Sequence, residues 1–218
     1  MDLAIFPLQL IVFPGEQLNL HIFEPRYRDL FKDLKNDEEM RFGIPPVVNN
    51  EIYGLGCRLK LVSIINEYPN GEMDVTTEGL DIFTINQIIP NYKNKKYSGA
   101  DVEVFEDDPT YNLVKFEQLQ TLYDEFQSLL KQQKEIKNIK PQIYSFQIAH
   151  YSGLSENQKL DLLALESEDE RQEMMITHFE KIIPSMKSIE ETQKRIEANG
   201  HFKNLQSFNF SRPNEGDR

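Results

Sequence analysis

The sequence predicts an α+β chain: a small, curled, mostly antiparallel β-barrel followed by a C-terminal helical bundle. Three observations carry this. Up to about Tyr111 the chain reads in short β-rich runs punctuated by Pro, Gly and Asn. Beyond it Gly and Pro thin out, and long runs of Leu, Gln, Glu and Lys take over. A glycine, Gly79, stands inside a strand run, the mark of a bulge or sharp bend of the kind that curls a sheet.

Leu3–Leu10 and Gln17–Phe23 read as strands separated by the turn Phe13-Pro14-Gly15. Leu18, Leu20 and Ile22 alternate with Asn19 and His21, the period of a strand buried on one face. Pro25 suits a first helical position, where its missing N–H costs nothing. Tyr27, Leu30, Phe31 and Leu34 then follow at i, i+3, i+4, i+7, which gives about three turns with one apolar stripe. Phe42-Gly43-Ile44 is a strand whose end Pro45-Pro46 confines to a sheet edge or loop. Gly56–Tyr68 and Glu72–Thr77 form a hairpin about Pro69-Asn70-Gly71. Glu78-Gly79 interrupts before a further strand, Leu80–Ile89, and Gly99–Phe105 is the last.

In the second half, Phe116, Leu119, Tyr123, Phe126 and Leu130 mark one apolar helix face. Pro141 opens a helix that Gly153 closes. Ser155-x-x-Gln158 and Ser167-x-x-Glu170 are capping boxes. Met175, Phe179, Ile182 and Met186 form the stripe of a helix that Pro184 is expected to kink or break. Helix then resumes to about Asn199, with Gly200 as its cap. The organisation read is a barrel subdomain over 1–111, a helical subdomain over 112–203 and a frayed polar tail over 204–218.

The chain of 218 residues carries 24 basic and 36 acidic side chains, a formal charge of −12. That field repels phosphate backbones and anionic lipid surfaces, which disfavours a nucleic-acid or membrane binder. RNA binding would need one face lined by Arg26, Arg28, Arg41, Arg58 and the Lys93–Lys96 segment. One cysteine, Cys57, excludes an internal disulfide and a Cys-rich zinc site. No basic leader and no long apolar run is present, so a cytoplasmic protein is expected.

Catalytic motifs are missing. No Gly is followed by Lys, so there is no nucleotide phosphate loop of that class, and Gly-x-Ser-x-Gly is absent. None of His21, His150, His178 and His201 has a second histidine at i+2 or i+4, the spacing that His-based metal sites use. No cofactor and no catalytic residue is assigned. What remains is Phe23-Glu24-Pro25-Arg26-Tyr27, where Glu24 and Arg26 bracket a helix start and an Arg fork can satisfy a carboxylate or carbonyls. The motif reads first as an architectural corner, and second as an exposed ligand contact.

Phe6-Pro7-Leu8, Phe13-Pro14-Gly15, Leu18-x-Leu20 and Ile22-Phe23-Glu24-Pro25-Arg26-Tyr27 together resemble the opening of the LON substrate-binding domain family. This is the N-terminal domain of ATP-dependent Lon protease, also found as stand-alone proteins. Phe42-Gly43-Ile44, Gly56-Cys57, the Glu78-Gly79-Leu80 bend and Ser155–Lys159 with Leu162-Leu163 and Arg171 are similar to further stretches of it. The resemblance implies a PUA-like barrel, then a helical bundle. It also implies a non-catalytic protein that binds unfolded or extended polypeptide, or a protease or chaperone partner. The Arg common shortly after Glu-Gly-Leu is replaced here by Asp81-Ile82-Phe83-Thr84, so a role tied to it is not carried over. With no Trp in the chain, neither is the drug-binding cage of the related cereblon branch. Neither the ATPase nor the Ser–Lys peptidase module of a full Lon protease is in the sequence.

A curled sheet can offer an edge strand and apolar pockets to a peptide. Tyr53, Tyr68, Tyr92 and Tyr97, near strand ends or loops, are the candidate surface groups. A second reading is a small-molecule sensor with a pocket between barrel and bundle.

Overall fold

The computed structural model describes residues 1–206 except 37, 38, 40, 106, 107, 109, 132 and 133, with backbone only for 198–206. The acidic residues Glu106-Asp107 lie outside the described residues, and of the tail expected over 204–218 the first three residues are helical while the rest, from 207 onward, lie outside them.

Among the described residues eight strands and five helices follow one another, and the strand expected over Leu3–Leu10 shortens to Asp2–Ala4, with only isolated bridges at Ile5 and Leu8 beyond it. The β-rich part comprises β1 (Asp2–Ala4), β2 (Gln17–Ile22), α1 (Pro25–Lys35), β3 (Arg41–Ile44), β4 (Val47–Val48), β5 (Glu51–Ile52), β6 (Leu55–Glu67), β7 (Met73–Ile89) and β8 (Gly99–Val104). The helical part comprises α2 (Leu113–Leu129), α3 (Tyr144–Ala149), α4 (Glu156–Ala164) and α5 (Glu168–Gln206). The main sheet is antiparallel, in the order β1-β8-β7-β6-β3, with β2 also on β7. The long strand β7 thus takes β2 along its first half and β8 along its second, on the side away from β6.

The ladder is not closed, so the closed barrel expected from the sequence is not confirmed. Among the described residues its ends are joined not by a ladder but by single parallel bridges, Ile5 after β1 to Gly43 of β3 and Leu8 to Pro46 beyond β3. There the Phe6 N–H donates to the Gly43 carbonyl (2.7 Å) and the Val47 N–H to the Leu8 carbonyl (2.8 Å). Pro45 and Pro46 carry no N–H, which prevents β3 from extending this contact into a ladder.

Strand β7 runs without a break through Glu78-Gly79, where an interruption was expected. The bend is absorbed instead by a bulge: Arg58 faces Asp81 and Leu59 faces Gly79, leaving Leu80 as the extra residue. Two more bulges, on β6, leave Val62 and Ile65 unpaired. The hairpin β4–β5 was not read from the sequence; Asn49 and Asn50 turn it in left-handed backbone, φ 52° and 65°.

The single helix expected from Pro141 to Gly153 divides into a 3₁₀ turn, Pro141–Ile143, and α3. Helix α5 passes through Pro184 and Gly200 without a break. Pro184 and Glu180, whose carbonyl loses its intrahelical donor, both face solvent, so water can replace the lost bond. Phe179 and Ile183 anchor the buried side. Both capping boxes form: Ser155 with Gln158, and Ser167 with Glu170.

Of three hydrophobic clusters among the described residues, the smallest packs Leu3, Ile5, Phe83, Ala100 and Val102 within the sheet, and two larger ones hold the molecule. One lies between the sheet and α1, where Tyr27, Leu30, Phe31 and Leu34 pack on Phe6, Phe42, Leu59 and Val75. The other joins the halves: Ile11, Phe13, Leu55 and Ile82 of the β-rich part pack with Phe146, Leu163, Met175 and Phe179 of the helices.

Candidate functional site

Within the Phe23–Tyr27 corner only Tyr27 is buried, and the others act from the surface. Glu24 is the N-cap of α1 in extended backbone, and its carboxylate accepts from Arg26 Nε (3.0 Å) and pairs with Nη2 (2.9 Å). The Arg26 guanidinium lies 4.5 Å over the Tyr27 ring, which itself packs at 4.0 Å on Phe6. Pro25 takes the first helical turn. These four residues fix how α1 sits on the sheet. Phe23 does not: 59% exposed, it stacks on His21 at the end of β2.

Strand β2 has β7 on one side and no hydrogen-bonded neighbour among the described residues on the other. At its start, Gly15 (φ 79°) and Glu16 together face Gly79, whose N–H donates to the Glu16 carbonyl (2.8 Å) and whose carbonyl accepts from the Gly15 N–H (2.9 Å). This bulge sets the alternation that follows. Leu18 and Leu20 turn their backbone groups to β7, while the N–H and C=O of Gln17, Asn19 and His21 point to the open edge. The pairing from Gln17 to Ile22 is regular, so the edge is flat over six residues. Leu18 and Leu20, half-buried, line its inner face.

On the outer face, side chains of neighbouring strands interlock. His21 Nδ1 is 2.7 Å from Asp74 Oδ1 and Nε2 is 3.5 Å from Glu72. Asp74 also accepts from the Tyr68 hydroxyl (2.6 Å) and from Asn66 (3.0 Å). The hydrogen bonds from Tyr68, Asn66 and His21 hold the Asp74 carboxyl down at about 2, and the bond to Asp74 raises the His21 imidazole. Asn19 with Thr76, and Lys60 with Glu78, continue the polar rows. A further free edge, the end of β6 beyond β3, is interrupted by the bulged Val62 (46% exposed) and Ile65 (56%).

Of the four tyrosines expected at the surface, Tyr68 joins this network and Tyr53 is exposed beside the β4–β5 hairpin. Tyr92 (8% exposed) and Tyr97 (4%) are core residues instead. The Tyr97 hydroxyl donates to Asp33 (2.8 Å), and Gly99 leaves the space the Tyr92 ring fills. Glu78 and Gly79 lie at the β2–β7 pairing, Glu78 in its ion pair and Gly79 against the Phe13–Glu16 turn.

The Phe13–Glu16 turn is also the joint to the helices. Phe13 stacks on Phe146 at 5.3 Å, and Glu16 meets His150 Nε2 at 3.2 Å. A cleft opens on each side of His150. One, about 550 Å³, lies between Gln9–Ile11, the Pro46–Asn50 segment and α4. The other, about 450 Å³, lies between Pro14–Gln17, residues 134–137 and α3.

The basic residues do not form a bare patch. Arg26, Arg41, Arg58 and Lys95 pair with Glu24, Glu39, Asp81 and Asp33, and Arg28 donates to the Asn70 carbonyl. No cluster of three or more metal-type ligands occurs among the described residues, and none of their helices is long and apolar enough to cross a membrane.

The fold matches known structures. A Lon N-terminal domain protein from Xanthomonas campestris superposes with a TM-score of 0.63 at 21% identity, over 81% of this chain and 98% of that one. The N-terminal domain of the Mycobacterium avium complex Lon protease superposes with a TM-score of 0.62 at 14% identity, over 83% and 98%. The sequence profile of the ATP-dependent protease La (LON) substrate-binding domain matches residues 2–181. With that profile over most of its length and the same architecture behind it, the chain belongs to the LON substrate-binding domain family.

Proposed function

We propose that this chain is a non-catalytic, stand-alone binder of extended polypeptide that acts in the cytoplasm, and that the open edge of β2 is where the polypeptide pairs. The observation that carries the reading is the flat row of outward N–H and C=O groups on Gln17, Asn19 and His21. A strand added there gains main-chain hydrogen bonds whatever its sequence, while Leu18 and Leu20 accept alternate apolar side chains. The bulges of β6 blunt the competing edge, as edge strands that must not pair are blunted. The bridges from Ile5 to β3 and from Leu8 to Pro46 just beyond it support treating residues 1–111 as a PUA-like barrel and 112–203 as its helical support. The bound segment is then held for a protease or chaperone partner.

Asn19→Pro tests the reading, because it deletes one outward N–H while leaving the backbone bonds to β7 in place, with only the exposed side-chain bond from Thr76 lost besides. Pooled random 12-residue peptides captured on the immobilised protein are expected to bind about tenfold more weakly to the variant, the loss of roughly one hydrogen bond plus steric exclusion. Undiminished capture by a folded variant overturns it. The second reading, a small-molecule sensor, rests on the 550 Å³ cleft between the halves, of ordinary ligand size. Thermal stabilisation by a metabolite, abolished on changing Lys159 in that cleft, would favour it instead.

A further inference from the structure

We infer that the cleft at the Gln17 end of β2 captures the C-terminal carboxylate of the bound polypeptide, so that the protein selects chain ends over internal segments. The inference rests on the edge reading of β2 and adds the polarity and chemistry of its ligand.

Strand polarity supplies the first step. Strand β2 runs from Gln17 to Ile22 and pairs with β7 antiparallel. A polypeptide added antiparallel on the opposite edge runs from the Ile22 end to the Gln17 end. Its C-terminal side therefore leaves the strand at Gln17, which is itself a wall of the 450 Å³ cleft.

Charge supplies the second. In a chain of net charge −12, this cleft holds two ammonium groups, Lys134 and Lys137, and among the described residues neither has a carboxylate within ion-pair distance. Lys134 Nζ instead lies 4.6 Å over the Tyr151 ring at the cleft wall. Two carboxylates also face the space. Glu16 is already engaged, by His150 Nε2 at 3.2 Å and by the Phe13 N–H at 3.0 Å. The two lysines and two glutamates cancel formally, so what the cleft offers is not net charge but two ammonium groups without an ion-pair partner, beside a Glu16 carboxylate that is already hydrogen-bonded.

Shape supplies the third. Pro14 and the Phe146 and Tyr151 rings give the cleft apolar walls beside the ammonium groups. A terminal residue needs both: a wall for its side chain and cations for its carboxylate. An internal segment crossing the same place would bring only its backbone and leave the lysines solvated.

The test uses the intact chain and the pooled random 12-residue peptides, made once as free acids and once as C-terminal amides. The free acids are expected to bind about tenfold more tightly than the amides, and the ratio is expected to fall to about one in the Lys134→Gln/Lys137→Gln double variant, whose exposed positions leave folding intact. Equal capture of acid and amide, with Asn19→Pro still weakening both about tenfold, overturns the carboxylate inference and leaves the edge reading standing. An acid preference that survives in the double variant also overturns it, because the carboxylate is then read elsewhere. Capture of neither form overturns the edge reading and this inference together.

Discussion

A Cβ on Gly79 would lie 2.3 Å from the carbonyl oxygen of Phe13, closer than any side chain tolerates. The glycine lets β7 touch the Phe13–Glu16 turn, which in turn stacks on Phe146 of the helical part. Gly79→Ala therefore forces apart a three-way joint of strand, turn and bundle. We expect a cost of about 1–3 kcal/mol, read as a fall in Tm of roughly 2–4 °C per kcal/mol in a domain of this size. A variant with an unchanged Tm would mean that the turn can move away freely.

The same joint separates what local pattern reveals from what it does not. The alternation of Leu18 and Leu20, the i, i+3, i+4, i+7 stripe from Tyr27 and both Ser-led capping boxes are properties of neighbouring residues, and each was readable. Gly79 was readable as a bend, but its strand does not end there, because the partner that demands the glycine comes from 66 residues earlier. The missed features share that origin. Tyr92 and Tyr97 look like loop residues until Asp33 and Gly99 are brought beside them. Pro184 breaks helices unless its open side faces water. The free edge of β2 exists only because β8, not a further strand beside β2, takes the rest of β7.

Glu168 and Arg171 form a buried ion pair in the helical core. Arg171 Nε donates to Glu168 Oε2 (3.0 Å) and both side chains are inaccessible to solvent. Ser145 gives its N–H (2.9 Å) and hydroxyl (2.6 Å) to the same carboxylate, and the guanidinium lies 4.2 Å over Phe146. Burial pushes the Glu168 carboxyl up, against the pull of Ser145 and Arg171. Removing one partner strands the other charge. Arg171→Met alone is expected to cost about 3–5 kcal/mol, while Glu168→Leu/Arg171→Met recovers most of it. Chemical denaturation of the three proteins checks this; an additive double variant would show that the two charges do not act on each other.

His21 and Asp74 couple β2 to β7 through a bond whose strength follows pH. The Asp74 bond raises the imidazole above its usual 6.5, while Tyr68, Asn66 and His21 hold the Asp74 carboxyl down at about 2. The imidazolium's contribution is complete below pH 6.5 and is lost as pH rises through the raised folded value. The carboxylate's contribution is present above its unfolded value of 3.8 and is lost as pH falls toward 2. The pair therefore supports the strand contact most between about pH 4 and 6.5. Asp74→Asn is expected to return the His21 titration, followed by NMR of the ring protons, to near 6.5. A midpoint that stays raised would assign the shift to Glu72 instead.

Phe23 and Tyr27 bracket one motif but do opposite work. Tyr27 is 6% exposed, packed on Phe6 and covered by Arg26, so Tyr27→Ala opens a cavity in the core under α1 and is expected to cost about 3–5 kcal/mol. Phe23 projects into solvent beside His21, and Phe23→Ala is expected to change stability by less than about 0.5 kcal/mol. The two substitutions separate architecture from recognition. At the Ile22 end of β2, Phe23 stands where an antiparallel polypeptide enters the open edge, so its removal should weaken peptide capture severalfold at unchanged Tm. If capture is also unchanged, the aromatic ring plays no part in binding, and the motif is an architectural corner from Glu24 to Tyr27 alone.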